Sequence, residues 1–254
     1  MTGSSIKTLE AKHDILRLGL VVLQYFTFLC ADKIILYSKN LVEEFDLKKW
    51  KKKILIAYEH FLDFNTFTVN SLLSNRPPLI GYIGRLSEEK GVQQFTKALL
   101  PILNDNQDLH VLIGGDGHLK EAIEVLLKEE EITNRVDLPG WISHDDLPKY
   151  LNQLRLLVIP SYTEGLPNIM LEAMACGTPV LATPIGAIPD IIIDGKTGFI
   201  MENNSPECIA ENVNRALNYP ELKQIVENGR QFVEENFTFE KTVKNWEKIL
   251  QDSE

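Results

Sequence analysis

The sequence predicts an α/β protein built on a doubly wound, mainly parallel sheet. Short apolar runs of strand length, such as LIGYI and LRLLVIP, recur along the chain. Helical patterns separate most of them, and glycine-bearing loops follow several. With 254 residues the chain has room for one large or two modest domains.

The elements follow in order. Ile15–Ala31 is the most apolar stretch, seventeen residues that include Arg17 and Gln24. A membrane span needs about 20 apolar residues, so this stretch reads first as a buried or domain-interface helix. An interfacial membrane helix is the alternative. A secretory signal is disfavoured, because a polar stretch through Asp14 precedes the run and no clear small-residue cleavage site follows it. Strands are expected at Leu79–Ile83, Leu109–Ile113, Arg135–Leu138, Leu156–Ile159, Val180–Ala182 and Gly198–Ile200. Three polar helical stretches fill Pro206–Gln251, the last carrying Val243, Trp246 and Leu250 along one face.

Composition narrows the function classes. The chain is 44% hydrophobic and 24% charged with a formal net charge of −10, which fits a globular, soluble, intracellular protein and argues against nucleic acid as a partner. Cys30, Cys176 and Cys208 are odd in number and unpatterned, so no disulfide is expected.

Glu164 and Glu172 are the most informative pair. They straddle a helix expected from Leu166 onward and ended by Gly177 and Pro179. Glu164 falls in the loop beyond a strand's carboxyl end, where ligands of open α/β sheets collect. Glu172 lies about one and a half turns, or roughly 8 Å, inside the helix. The N–H groups of Gly165, Leu166 and Asn168 would point from the helix's positive end toward phosphate oxygens, while Pro167 has none to lose. A diphosphate flanked by two sugars fits, one carboxylate accepting from the transferred sugar and the other from the ribose. The bland alternative is that Glu164 caps the helix and Glu172 is solvated.

A second constellation lies at the end of the Leu79–Ile83 run. Gly84 lets the backbone approach a ligand, and Arg85 and Lys90 could both reach a diphosphate leaving group. Taken alone, they read as solvated surface charges.

Other motifs weigh less. Gly114-Gly115-Asp116-Gly117 lacks the G-x-G-x-x-G spacing of a dinucleotide loop, so it reads as a strand-to-helix turn that also lines the cleft. His144-Asp145-Asp146 reads as a helix start capped by Ser143 rather than a metal cluster. His13, His60, His110, His118 and His144 show no metal-ligand spacing, and no Asp-x-Asp follows an apolar strand, so no metal is expected.

GRLSEEKG, VLIGGDG, RVDLPGW, PSYTEGLPNIMLEAMACGTPVLAT and IIIDGKTGFI, in that order over Pro78–Leu250, resemble the donor domain of the retaining glycosyltransferases of family 4, which have the two-domain GT-B fold. The resemblance implies Arg85, Lys90 and Glu164 as the catalytic set, with Arg85 and Lys90 on the donor phosphates and Glu164 on the donor sugar. It implies Gly84, Gly115, Val136, Gly165, Leu166, Pro167 and Glu172 as donor-binding residues, with Glu172 on the ribose and the backbone from Val136 to Gly140 along the nucleobase. It implies no cofactor, the nucleoside-diphosphate sugar being substrate, and transfer of a hexose with retention, without metal, to a saccharide or lipid-linked acceptor. Glu164 is not thereby a nucleophile, since the family's step is usually drawn as a same-face attack through an ion-pair-like state.

The resemblance divides the chain into residues 1–67, a short remnant of the acceptor domain and linker; 68–237, the donor domain; and 238–254, a helix packing back toward the amino-terminal part. Ala31–Ser38 resembles the last acceptor-domain strand and Ile54–Phe67 the linker, where Glu59-His60-Phe61 replaces the usual Asn-Gly. A short front part implies dependence on a separate acceptor-domain subunit or a lipid surface. The location implied is cytoplasmic, with peripheral contact at the inner membrane face as an option. Two functions from different classes follow: a hexosyltransferase, or a non-catalytic donor-binding half that needs a partner. A nucleotide-sugar epimerase of the same overall fold is a weaker third.

Overall fold

A computed structural model describes residues 16–58 and 60–251, so Ile15, Glu59, His13 and the last three residues lie outside the described part. The chain opens with helix α1 (Leu16–Cys30), which is followed by β1 (Ile34–Leu36), α2 (Asn40–Glu44), a 3-10 turn over Lys48–Lys53 and β2 (Ile54–Ile56). β1 and β2 pair in parallel as a two-stranded sheet around a small core of Ile34, Leu47 and Trp50.

The main body is a six-stranded parallel sheet. Its strands are β3 (Leu79–Ile83), β4 (His110–Gly114), β5 (Val136–Gly140), β6 (Leu156–Ile159), β7 (Val180–Ala182) and β8 (Phe199–Ile200), in the spatial order β5-β4-β3-β6-β7-β8. The chain lays down β3, β4 and β5 outward in one direction, then returns to add β6 beside β3 and continues the other way. Strand order therefore reverses between β3 and β6, and a crevice opens beyond their carboxyl ends.

Helices cover both faces, as parallel strands buried on two sides require. On one face, α3 (Val92–Asp105), α4 (Lys120–Glu129) and α8 (Pro206–Leu217) bury Phe95, Leu99, Ile123 and Val213 against Ile80, Val111 and Ile113. On the other, α5 (Leu147–Leu151), α6 (Asn168–Ala175), α7 (Ile188–Ile191) and α9 (Leu222–Asn236) bury Leu151, Met170, Leu171, Ile188 and Val233. Helix α10 (Phe239–Gln251) closes the described chain.

Arg76, just before β3, is buried and pins this second face together. Its guanidinium donates to the carbonyls of Ser71, Leu151, Leu154 and Cys176 and to the Thr178 hydroxyl. Burial lowers its pKa to about 10.

The amino-terminal part is tied to the loop after β7 and to α7, which follows it. Asp190 Oδ2 accepts from Ser38 Oγ at 2.7 Å and from Lys39 N at 2.6 Å. Asn40 Nδ2 donates to the Gly186 carbonyl at 2.8 Å, and Gly186 N donates to Glu44 Oε2 at 2.9 Å.

Several sequence expectations are corrected. β4 begins one residue later than expected, and β5 runs from Val136 on to Gly140. β8 lacks Gly198, which forms only an isolated bridge to Asp194. On α10 the buried face is Thr242 and Ile249, while Val243 and Leu250 are exposed. That face is set by contacts the pattern cannot encode: Thr242 Oγ1 donates to the His60 carbonyl at 3.2 Å, and Phe239 meets Phe61 edge-on at 5.2 Å between ring centres. Ser143 makes the capping bonds its spacing predicts, its hydroxyl accepting from Asp146 N at 3.1 Å and donating to Asp146 Oδ2 at 2.6 Å, but the regular helix α5 starts only at Leu147, with Pro148 in its first turn. In the part of α1 whose side chains are described, Val22, Leu23, Tyr25, Phe26 and Leu29 are exposed, so the buried alternative fails there while the domain-interface one is untouched. None of the described helices is long and apolar enough to cross a membrane.

Candidate functional site

Two loops meet at the switch point, Gly84–Gly91 after β3 and Pro160–Pro167 after β6. Gly91 has φ +67°, and a Cβ there would lie 1.9 Å from the Pro160 carbonyl oxygen, so only glycine lets these loops touch. That contact delivers Lys90 to the neighbouring loop. Lys90 Nζ donates to Glu164 Oε1 at 2.8 Å and Oε2 at 2.9 Å, and Ser161 Oγ donates to Oε1 at 2.7 Å. The Glu164 side chain is only 8% exposed. It is held as an ion pair beneath the cleft and does not cap α6. Two of the three Lys90 protons face Glu164, which leaves one for a ligand oxygen.

The cleft here has a volume of about 140 Å³ and is bordered by Gly84, Lys90, Ser161, Glu164, Pro167 and Asn168. That is below the roughly 300–1,000 Å³ of sites that enclose a whole ligand, so this cleft grips one part of a ligand, of phosphate or sugar size. A concavity of about 840 Å³ lies at the amino ends of the strands, around Pro78, Leu109, Arg155 and Val226. It is remote from the residues that converge on the switch point.

Helix α6 starts two residues later than expected. Pro167 is extended (φ −72°, ψ 114°), and Leu166 is buried in the core. The first helical residue is Asn168. Among the described residues, no backbone acceptor takes the N–H groups of Gly165, Leu166 or Asn168, so these donors stand at the helix's positive end. Gly165 is kept small by Tyr37, whose hydroxyl would lie 3.0 Å from a Cβ there.

Glu172 lies on the fifth residue of α6, buried and outside the residues bordering the small cleft. The bland alternative of a solvated Glu172 fails. His144 Nε2 sits 3.2 Å from Glu172 Oε1, and the imidazole rests edge-on against Phe67. Burial pushes the Glu172 carboxyl above its ordinary range, and the hydrogen bond from His144 opposes that rise.

The structure separates other expected site residues from the cleft. The Arg85 side chain is 71% exposed, and its nearest ionic partner is Glu89 at 3.6 Å. Gly115 (φ +134°) is a packing glycine: its Cβ would lie 1.8 Å from the Gly84 carbonyl oxygen, and its N–H donates to the Gly140 carbonyl at 2.7 Å. Val136 is corrected most clearly. It sits at the amino end of β5 with its side chain in the core, whereas Gly140, four residues on, reaches the carboxyl end beside Gly114. At about 3.3 Å per residue the two ends are some 13 Å apart.

Three side chains of the site escaped the sequence reading. Ser161 and Glu164 are three residues apart, an ordinary loop spacing with no signature. Tyr82 buries its ring against Phe95 and donates from its hydroxyl to the Arg85 carbonyl at 2.6 Å, fixing the Gly84–Arg85 turn. His144 was read within a local cap, and nothing in the sequence pairs it with Glu172, which is 28 residues away.

Comparison with known proteins agrees with this architecture. Residues 63–232 match the family described as glycosyl transferases group 1. An uncharacterized glycosyltransferase of Methanocaldococcus jannaschii is 29% identical over 87% of this chain and 60% of its own length. The N-acetyl-alpha-D-glucosaminyl L-malate synthase of Bacillus anthracis is 30% identical over 99% of this chain and 69% of its own. The chain thus spans about three fifths to two thirds of the length of these relatives. Among solved structures, the carboxyl-terminal domain of a glycosyl transferase group 1 family protein from Francisella tularensis superposes with a TM-score of 0.64 at 26% identity, covering 70% of this chain and 99% of that one. Anabaena HepE, solved with UDP and glucose, superposes with a TM-score of 0.75 at 18% identity, covering 95% of this chain and 68% of that one, a likeness of fold. With the family match across two thirds of the chain and a parallel sheet wound as in the GT-B donor domain, this protein belongs to the glycosyl transferases of group 1.

Proposed function

We propose that this chain binds a nucleoside-diphosphate sugar beyond the carboxyl ends of β3 and β6 and serves transfer of its hexose, with retention and without a metal or cofactor, to a saccharide or lipid-linked acceptor. The observation that carries the reading is the Lys90–Glu164–Ser161 cluster beside the free N–H groups at the start of α6. An ammonium and a helix terminus together favour a diphosphate, and a carboxylate next to them accepts from sugar hydroxyls. A carboxylate already engaged by an ammonium and a hydroxyl is a poor nucleophile, so Glu164 orients the sugar. The C1–O bond breaks with its electron pair leaving on the diphosphate. The acceptor oxygen bonds to C1 on the same face and passes its proton to the departing phosphate oxygen. Lys90 and the α6 amides stabilise that growing charge. Glu172 accepts from the ribose hydroxyls.

The small volume of the cleft supports a second reading, a donor-binding half that acts only with a separate acceptor-binding subunit. Metal-free calorimetry against UDP, GDP and their hexose conjugates, followed by an assay of slow sugar release, separates the two. Binding with release supports the enzyme; binding without release supports the half-enzyme. Absence of binding to any of them sinks the donor site itself.

A further inference from the structure

We propose that α1 and the lysine-rich turn beside it dock this protein on a bilayer surface bearing anionic headgroups. Val22, Phe26 and Leu29 recur at the spacing of one helix face, and with Leu23 and Tyr25 they form an exposed apolar surface. The helix rests on the rest of the chain through Phe28 and, just past its end, Ala31, which pack against the core holding Trp50.

The adjoining turn reads KKWKKK, and the structure locks it to the helix. Lys53 Nζ donates to the carbonyls of Phe28, Leu29 and Ala31 at 3.2, 2.9 and 2.7 Å, capping the end of α1. Lys49 Nζ stands 4.6 Å from the Tyr25 ring centre, and Tyr25 meets Trp50 edge-on. The apolar face and the basic turn are therefore tied together side by side. Lys48 is neutralised by Glu43 at 2.6 Å, but Lys49, Lys51 and Lys52 have no acidic partner among the described residues.

Charge complementarity selects the occupant. Residues 31–53 hold seven lysines against four carboxylates, in a chain whose net charge is −10. An anionic surface repels most of this molecule and attracts this face, which orients it. A protein partner covering the apolar residues has no need of three unpaired lysines, and a nucleic acid has no use for five exposed apolar side chains. An anionic bilayer uses both: lysines meet headgroups while Phe26, Leu29 and Tyr25 enter the acyl boundary. The helix described, Leu16–Cys30, lies in the surface rather than across it. The inference does not depend on the donor site.

The test is sedimentation of the full chain with vesicles of phosphatidylcholine alone or mixed with phosphatidylglycerol, at low and high salt. The expected result is binding to the anionic vesicles only, reversed by salt. The triple variant Lys49→Gln, Lys51→Gln, Lys52→Gln should partition about a hundredfold more weakly, from about 1 kcal/mol per lysine. Phe26→Ser with Leu29→Ser should abolish binding while melting temperature and UDP affinity stay unchanged. Equal binding to neutral vesicles, or none to anionic ones, overturns the proposal. So does a wild-type dimer that the Phe26→Ser, Leu29→Ser pair turns into a monomer, since the face would then be a contact between copies.

Discussion

Lys90 and Glu164, 74 residues apart in sequence, form a two-pronged ion pair whose carboxylate is almost wholly buried. The ammonium holds Glu164, and the proposed diphosphate would be its second anionic partner. Lys90→Ala should reduce affinity for a nucleoside diphosphate by about 1.5–3 kcal/mol and flatten its salt dependence. Arg85→Ala should cost less, because Arg85 starts outside the cleft. Calorimetry at two salt concentrations checks both, and equal losses from the two variants would contradict the placement of Arg85.

Burial of the Glu172 carboxyl, opposed by His144, should make donor binding sensitive to pH. Because the folded carboxyl titrates above its unfolded value, the native state holds that proton more tightly. Glu172 therefore favours the fold below its unfolded pKa, and that advantage is lost as pH rises through the folded value. Donor affinity runs the other way. The ionised carboxylate is the better acceptor for ribose hydroxyls, so affinity should climb as pH passes upward through the raised pKa. His144→Ala should move this rise to higher pH, and Glu172→Gln should remove it. A profile untouched by Glu172→Gln would assign the titration to another group.

Arg76 should be the costliest single loss to stability. Arg76→Met strands the carbonyls of Ser71, Leu154 and Cys176, whereas the Leu151 carbonyl and the Thr178 hydroxyl still have each other. With each buried, unsatisfied acceptor costing about 1–3 kcal/mol, a drop of about 3 kcal/mol or more is expected in urea unfolding. A change under about 1 kcal/mol would mean that water replaces the guanidinium.

Gly91→Ala is predicted to separate the two loops of the cleft. The left-handed backbone and the 1.9 Å approach to the Pro160 oxygen forbid a Cβ, so the β3 loop must retreat and take Lys90 away from Glu164. Stability should fall by more than about 1 kcal/mol, and diphosphate affinity should fall with it. Urea unfolding and calorimetry on one sample read both, and retained affinity would argue against the pairing.

The sequence announced what short-range pattern can announce. β3, β6 and β7 fall at their expected limits because continuous apolar runs of strand length admit one reading in a parallel sheet. The Glu164–Glu172 spacing and the Lys90 loop were legible from motif order. Effects that depend on a third partner were not. The start of α6 slipped because Leu166 is drawn into the core and holds Pro167 extended. The face of α10 slipped by one position because His60 and Phe61 choose it. The strand Ile54–Ile56 was absorbed into a linker because three apolar residues carry no period. Val136 was misplaced by reading a whole strand as one site, when only its carboxyl end faces the crevice.

Gly186 carries one more consequence. Its N–H and carbonyl are bound by Glu44 and Asn40, while its Cα packs so tightly on the Glu164 and Gly165 carbonyls that a Cβ would lie 2.4 and 2.5 Å from them. The Gly165 carbonyl in turn accepts from Ala187 N at 2.8 Å. The amides of Lys39 and Gly186 thus donate across the seam with the amino-terminal part, and that of Ala187 donates to the cleft. In hydrogen exchange they should behave as one cooperative unit, and a ligand seated against Glu164 should slow exchange as far away as Lys39.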